Sequence, residues 1–160
     1  GVDTLLIGHS ERRHILGEEQ SFIAKKYAYA KEKKSEIIYC VGEPQEIREQ
    51  GIDDVMRYIW EQFEDIDMSY ERLIVAYEPV WAIGTGLSAS LADIEEVLAR
   101  LAQKLSAPLL YGGSVKVDNL ESILHVKHCQ GVLVGTASWN EEAFCKMIEI
   151  ADSVTKGCVR

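Results

Sequence analysis

Short continuous apolar runs alternate with longer segments of helical period along the whole chain. The runs are Leu5-Leu6-Ile7, Ile37-Ile38-Tyr39-Cys40-Val41, Leu73-Ile74-Val75-Ala76-Tyr77, Leu109-Leu110-Tyr111 and Val132-Leu133-Val134. None alternates apolar with polar residues, so each predicts a strand covered on both faces, as in a parallel sheet crossed by helices. Between the second and third runs, Ile52, Val55, Met56, Ile59, Trp60 and Phe63 recur at helical spacing. Ile94, Val97, Leu98, Leu101, Ala102 and Leu105 repeat the same pattern after the third. Both segments predict amphipathic helices whose stripes belong to the core. Phe144, Met147, Ile148 and Ala151 mark a weaker final helix. Ser90 with Asp93, and Asp118 with Glu121, have the spacing of capping boxes at two helix starts. Residues 61–67, rich in acids, read as a solvated helix end.

This alternation makes five βα units and shows no linker or domain boundary, so residues 1–160 are expected to form one domain. An open sheet of five parallel strands would leave two unpaired edges. The units average about 32 residues, and three more would bring the chain to about 256, close to a closed eight-unit barrel. The fold class expected is α/β, an incomplete barrel of about five parallel βα units.

Composition narrows the function classes. With 47% hydrophobic and 27% charged residues the chain is globular rather than disordered, and its net charge of −9 argues against nucleic-acid or anionic-membrane partners. A small anion remains possible, because backbone N–H groups can hold one locally. No apolar run approaches the ~20 residues of a membrane span, and Gly1-Val2-Asp3 lacks signal-peptide features, so a cytoplasmic location is expected. Cys40, Cys129, Cys145 and Cys158 form no C-x-x-C pair and read as reduced packing residues. His125, His128 and Cys129 have no second ligand group at finger-like spacing, so no metal is expected.

Parallel βα proteins place their chemistry just beyond the carboxyl ends of the strands. There the sequence offers Gly8-His9-Ser10-Glu11-Arg12-Arg13, Gly42-Glu43, Glu78-Pro79-Val80-Trp81-Ala82-Ile83-Gly84-Thr85-Gly86, Gly112-Gly113-Ser114-Val115 and Gly135-Thr136-Ala137-Ser138. Glu78 can serve as a general base if its surroundings raise its pKa. His9 can donate a hydrogen bond to a carbonyl oxygen that becomes an oxyanion. The glycine-containing turns after the last two strands suit a phosphate. Two other motifs compete weakly. Gly84-Thr85-Gly86-Leu87-Ser88-Ala89 matches a dinucleotide fingerprint, but it begins six residues beyond Glu78 and lacks the later acidic residue. Gly8-His9-Ser10-Glu11-Arg12 begins like a nucleophile elbow but ends on Arg12 in place of the closing glycine.

Ile7-Gly8-His9-Ser10-Glu11-Arg12-Arg13, Ala76-Tyr77-Glu78-Pro79-Val80-Trp81-Ala82-Ile83-Gly84-Thr85-Gly86, Tyr111-Gly112-Gly113-Ser114-Val115 and Gly131-Val132-Leu133-Val134-Gly135 resemble, in order and spacing, the signature segments of the triosephosphate isomerase family. The resemblance implies a (β/α)8 TIM barrel entered at its fourth strand, so that residues 1–160 hold the fourth to eighth βα units. It implies interconversion of dihydroxyacetone phosphate and glyceraldehyde 3-phosphate in glycolysis and gluconeogenesis, without a cofactor, by a cytoplasmic homodimer acting on a small phosphorylated triose. By that resemblance His9 is the electrophile, Glu78 the base and Glu11 a buried acidic partner. Residues 79–89 form a closing lid that includes Pro79 at its first hinge and Trp81. Gly84, Ser114, Gly135 and Thr136 bind the phosphate, and Ile83 and Leu133 clamp Glu78.

Three departures accompany the match. Thr136 stands where a second glycine is usual, and Leu87 and Ser88 replace the common Lys-Thr of the second hinge. The family's first three βα units, with a first-strand asparagine, the catalytic lysine and the dimer-forming third loop, have no counterpart here. The 160-residue chain alone is therefore expected to be poorly active or inactive. The alternative reading is an inactive fragment or a non-enzymatic phosphate-binding module derived from the barrel.

Overall fold

A computed structural model describes residues 1–83 and 88–157. Its centre is a parallel sheet of four strands in the order β1 (Thr4–Ile7), β2 (Glu36–Val41), β3 (Leu73–Tyr77) and β4 (Leu109–Tyr111). Each strand follows its neighbour in sequence as well as in space, which is the progression of an α/β barrel wall. Helices α1 (Ser10–His14), α2 (Gln20–Glu32), α3 (Gln45–Arg48), α4 (Ile52–Glu61), α5 (Leu91–Ala102), α6 (Val117–Leu124) and α7 (Glu141–Gly157) occupy the connections. Short 3-10 turns span Val80–Ala82 and Thr136–Trp139.

The predicted stripes of α4 and α5 face the core, where Val55, Met56, Ile59, Ile94, Val97, Leu98 and Leu101 are buried. The Ser90 capping box forms: Ser90 Oγ accepts from the Asp93 N–H at 3.1 Å, and Asp93 Oδ2 accepts from the Ser90 N–H at 3.1 Å. At α6 the start shifts from Asp118 to Lys116, whose N–H is accepted by Asn119 Oδ1 at 2.8 Å. Asp118 lies inside the first turn instead, where its charge suits the positive end of the helix. Helix α2 escaped the periodicity reading. Its buried face uses small Ala24 and Ala30 beside Ile23 and Tyr27, while Phe22 and Tyr29 are exposed, which blurs the stripe. In residues 61–67 the acids Glu61, Glu64 and Asp65 are solvated as expected, but Gln62, Phe63 and Ile66 are buried between them.

The fifth strand expected at Val132-Leu133-Val134 reduces to one bridge, Val132 to Tyr111. Leu133 N–H still donates to the Tyr111 carbonyl at 2.8 Å, so the segment lies along β4. Among the described residues no strand pairs with its far side. At the opposite edge, β1 is mostly exposed, with Leu6 at 44%. The sheet is best formed at β2 and β3, which place the polar groups described next.

Candidate active site

The register of the sheet sets Val41, Tyr77 and Tyr111 side by side, so the residues after them, Gly42, Glu78 and Gly112, form one level across three strand ends. The Glu78 N–H donates to the Val41 carbonyl at 2.7 Å, and the Gly112 N–H donates to the Tyr77 carbonyl at 2.8 Å. Both neighbours must be glycine. A Cβ at Gly42 would stand 1.8 Å from the Glu78 carbonyl oxygen, and one at Gly112 would stand 2.9 Å from Glu78 Cγ. These two missing side chains leave the space in which Glu78 is seated.

The Glu78 carboxylate turns toward the end of β1. Its Oε2 accepts from the Ser10 N–H at 3.0 Å, and its Oε1 lies 3.3 Å from His9 Nε2. His9 is the N-cap of α1, and its Nδ1 accepts from the Glu11 N–H at 3.3 Å. A backbone N–H can only donate, so this contact favours the tautomer with its proton on Nε2, facing Glu78. Glu78 is 2% exposed, and burial raises its carboxyl above the ordinary glutamate range. His9, the Ser10 N–H, the Cys40 thiol and Arg13 all pull in the other direction without cancelling that effect. The result is a carboxylate that gains a proton more readily than a solvated one, beside an imidazole Nε2.

Arg13 fixes the floor beneath this pair. Its Nε donates to the Gly8 carbonyl at 2.8 Å, its Nη1 to Gln20 Oε1 at 2.9 Å and its Nη2 to Tyr39 Oη at 3.0 Å. Gly8 has φ +79°, and an added Cβ would lie 2.7 Å from Arg13 Nη2, so glycine suits this turn on two counts. Cys40 was read as packing alone. It is fully buried, and burial and the Glu78 carboxylate raise its thiol pKa well above the ordinary value.

A second carboxylate, Glu43, sits at the end of β2 and is fully buried. Its Oε1 accepts from Tyr77 Oη and from Trp81 Nε1, each at 3.0 Å. Sequence reasoning placed Glu43 on the rim without a task. Its signal was position, one residue past the strand-end glycine at Gly42.

The remaining expected residues fall around this centre. Pro79 is buried at the start of the turn holding Trp81, and its carbonyl accepts from the Ala82 N–H at 2.9 Å. Ser114 Oγ donates to the Ala82 carbonyl at 2.8 Å, which brings the loop after β4 against that turn. Leu133 reaches the same level, its Cβ 3.4 Å from where a Gly112 Cβ would be, while Ile83 is half-buried at the end of the turn. Gly135 and Thr136 are exposed, and Thr136 is not among the residues of positive φ, so threonine costs the backbone nothing here. Glu11 departs from expectation. It is exposed, because α1 lies at the sheet edge and Glu11 points from it into solvent. Gly84 and Leu87 lie outside the described residues.

Comparison with known proteins places this arrangement among relatives. The family model described as triosephosphate isomerase matches residues 1–151. The triosephosphate isomerase of a Nitratiruptor species is 53% identical over 151 residues, covering 94% of this chain and 65% of the relative. That of Sulfurimonas denitrificans is 53% identical over 156 residues, covering 98% and 65%. A crystal structure of triosephosphate isomerase from Bartonella henselae superposes with a TM-score of 0.82 at 32% identity, covering 94% of this chain and 65% of that one. The chain thus spans about 65% of the length of these relatives.

Proposed function

The chain belongs to the triosephosphate isomerase family, and on that premise we propose that the complete protein interconverts dihydroxyacetone phosphate and glyceraldehyde 3-phosphate. The isomerisation moves one proton between adjacent carbons and one between the oxygens they carry. Glu78 removes the first from the carbon next to the carbonyl, and His9 Nε2–H hydrogen-bonds to the carbonyl oxygen as that oxygen gains charge. The former carbonyl oxygen takes the Nε2 proton, Nε2 recovers one from the neighbouring hydroxyl, and the Glu78 carboxyl reprotonates the other carbon. The observation that supports this reading best is the His9 ring, oriented by the Glu11 N–H with its Nε2 3.3 Å from a buried carboxylate of raised pKa. An imidazole so held can donate without first losing a proton, and a carboxylate of raised basicity removes a carbon-bound proton more readily.

The further roles belong to the same proposal. Gly84, Ser114, Gly135 and Thr136 supply donors for the substrate phosphate. Pro79 and Trp81 root the covering loop, and Ile83 and Leu133 exclude water above Glu78. Glu11 contributes its backbone N–H to His9 and its carboxylate to the rim. Residues 1–160 form one partial barrel domain, the fourth to eighth units of eight. The complete protein is a cytoplasmic homodimer that needs no cofactor and works in glycolysis and gluconeogenesis.

The test is Glu78→Gln in the complete protein. Loss of a general base lowers kcat by about 10²- to 10⁴-fold while substrate KM stays within a few-fold. Ordinary turnover in that variant removes Glu78 from the base role. A protein that binds a phosphorylated enediolate mimic but never turns over substrate is a binding module instead.

A further inference from the structure

Strand β2 runs further than its neighbour β1. Their register stops at Ile7 opposite Tyr39, and the chain then turns through Gly8 toward α1, whereas β2 continues to Val41. Alternate residues of a parallel strand bond to alternate neighbours, so beyond Tyr39 the backbone groups of β2 that face β1 have lost their partner strand. The Glu36 N–H meets the Asp3 carbonyl on that side, and even spacing from Glu36 puts Cys40 and Gly42 there too. Arg13 Nη2 donates to the Cys40 carbonyl at 3.3 Å. Both groups of Gly42 go to the side chain of Gln62, which is buried just beyond α4. The Gly42 N–H donates to Gln62 Oε1 at 3.1 Å, and Gln62 Nε2 donates to the Gly42 carbonyl at 2.8 Å. A side-chain amide thus stands in for the missing strand.

The peptide held by Gln62 also holds Glu78. The Val41 carbonyl and the Gly42 N–H belong to one planar peptide unit. That carbonyl accepts from the Glu78 N–H at 2.7 Å, while the N–H donates to Gln62. Gly42 also lies directly against the Glu78 carbonyl, 1.8 Å from where its Cβ would be. Rotation of this peptide therefore moves the backbone of Glu78. Gln62 is itself anchored. Its carbonyl accepts from Tyr39 Oη, and the ring of Phe63, next in the chain, lies 5.6 Å from the Tyr39 ring.

We propose that Gln62 is a positioning residue for Glu78: its side-chain amide holds the peptide between Val41 and Gly42, and that peptide holds the Glu78 backbone. The consequence for turnover rests on the isomerase reading, whereas the hold on the peptide does not.

The amide of Gln62 both donates and accepts, and the test separates the two. Gln62→Met keeps the length of the side chain and loses both bonds. In the complete protein it should lower kcat by about 10- to 100-fold, the cost of a small misplacement of a reacting group, with KM within about twofold. Gln62→Glu, when ionised, can only accept, and it sets two oxygens against each other at the Gly42 carbonyl. Once protonated, its carboxyl donates and accepts as the amide does. A buried carboxyl titrates above its ordinary range, so the ratio of Gln62→Glu kcat to that of the unsubstituted protein should rise about tenfold from about pH 9 to about pH 6.

The titratable groups that share a cavity with Gln62 are Arg13 and His14 from α1, Glu18 beyond it, and Tyr58 and Glu61 from α4. Tyr39 faces it from β2, and Glu78 of β3's end and Glu43 adjoin Gly42. All are present in both proteins, so the ratio isolates the group at position 62. A purely structural role would lower the urea midpoints and leave kcat and the ratio unchanged.

A kcat within about twofold of the original in Gln62→Met overturns the proposal, as does a Gln62→Glu ratio that stays flat with pH. If Gln62→Met does not fold, that ratio decides alone. Absence of turnover in the unsubstituted protein would remove the isomerase reading, and the hold is then read from exchange of the Glu78 amide hydrogen. Relative to the Val75 amide in the middle of β3, it should quicken by about fivefold or more in Gln62→Glu near pH ~8, the change for roughly 1 kcal/mol. No change relative to Val75 overturns the hold.

Discussion

Glu43 and Glu78 occupy nearly equivalent places, just beyond neighbouring strands, and each is almost completely buried with its carboxyl raised by burial. Their surroundings separate them. Glu43 is gripped by Tyr77 Oη and Trp81 Nε1, two donors that belong to the packed interior. Glu78 faces one backbone N–H, one thiol and an imidazole that is 27% exposed, so one side of its setting opens toward the rim. Burial and a raised pKa alone do not mark a base. What distinguishes the two is whether a substrate atom can come within reach, and glycines on both sides keep that room beside Glu78.

The widest separation is expected in turnover. Glu78→Gln should lower kcat by about a thousandfold, within the range for a lost general base. Glu43→Gln keeps an oxygen acceptor for Tyr77 and Trp81 and should leave kcat within about tenfold, since it touches the reaction only through packing. Steady-state kinetics on the two variants side by side checks this. Equal losses would mean that the two carboxylates cannot be divided into a reacting and a holding group.

Next in size are the glycines. Gly42→Ala sets a Cβ 1.8 Å from the Glu78 carbonyl oxygen, which is backbone and cannot swing aside. Its cost should be about 3 kcal/mol, the upper range of overpacking, read from urea midpoints. Gly112→Ala meets Glu78 Cγ at 2.9 Å, a side-chain atom that can rotate. Its stability cost should be nearer 1 kcal/mol, with kcat falling more than stability explains because the carboxylate is displaced. A Gly112→Ala variant with full kcat would show that the seat of Glu78 tolerates movement.

The sequence made four strands legible because parallel strands covered by helices must be continuously apolar, and Leu73–Tyr77 and Leu109–Tyr111 fall where that rule puts them. The same rule overreached at Val132, where an apolar run keeps a single bridge to β4 among the described residues. His9 and Glu78 were legible from strand-end position, which a one-dimensional pattern records. Their pairing, the tautomer of His9 and the role of Arg13 were not, because they depend on lateral register between β1, β2 and β3. Gln62 was invisible for a similar reason: its partners are the two backbone groups of Gly42, which only the fold brings to it. Glu11 is exposed here where the resemblance implies burial, because a resemblance carries no information about what covers α1 in this chain.

The smallest expected effect is a slope of stability with pH, and it tests what the two glutamates share. Both carboxyls are raised in the folded chain, whereas in the unfolded chain each returns to about 4.3. Between that value and the raised one, the folded chain holds protons that the unfolded chain has released. The stabilisation is therefore fully present below the unfolded pKa and is lost as pH rises through the folded one. Asp67, held down to about 2 by Lys31 and Ser69, has the opposite sign, as do Glu18, Glu32 and Asp93, and their contribution fades only about one pH unit above the unfolded carboxyl values. Urea midpoints measured upward from about pH 5.5, where the unfolded carboxyls are already ionised, should fall in the unsubstituted protein. Glu43→Gln and Glu78→Gln should each flatten the fall, because an amide has no proton to lose. If only one variant does so, burial raises only that carboxyl, and the resemblance between the two sites ends at their position on the sheet.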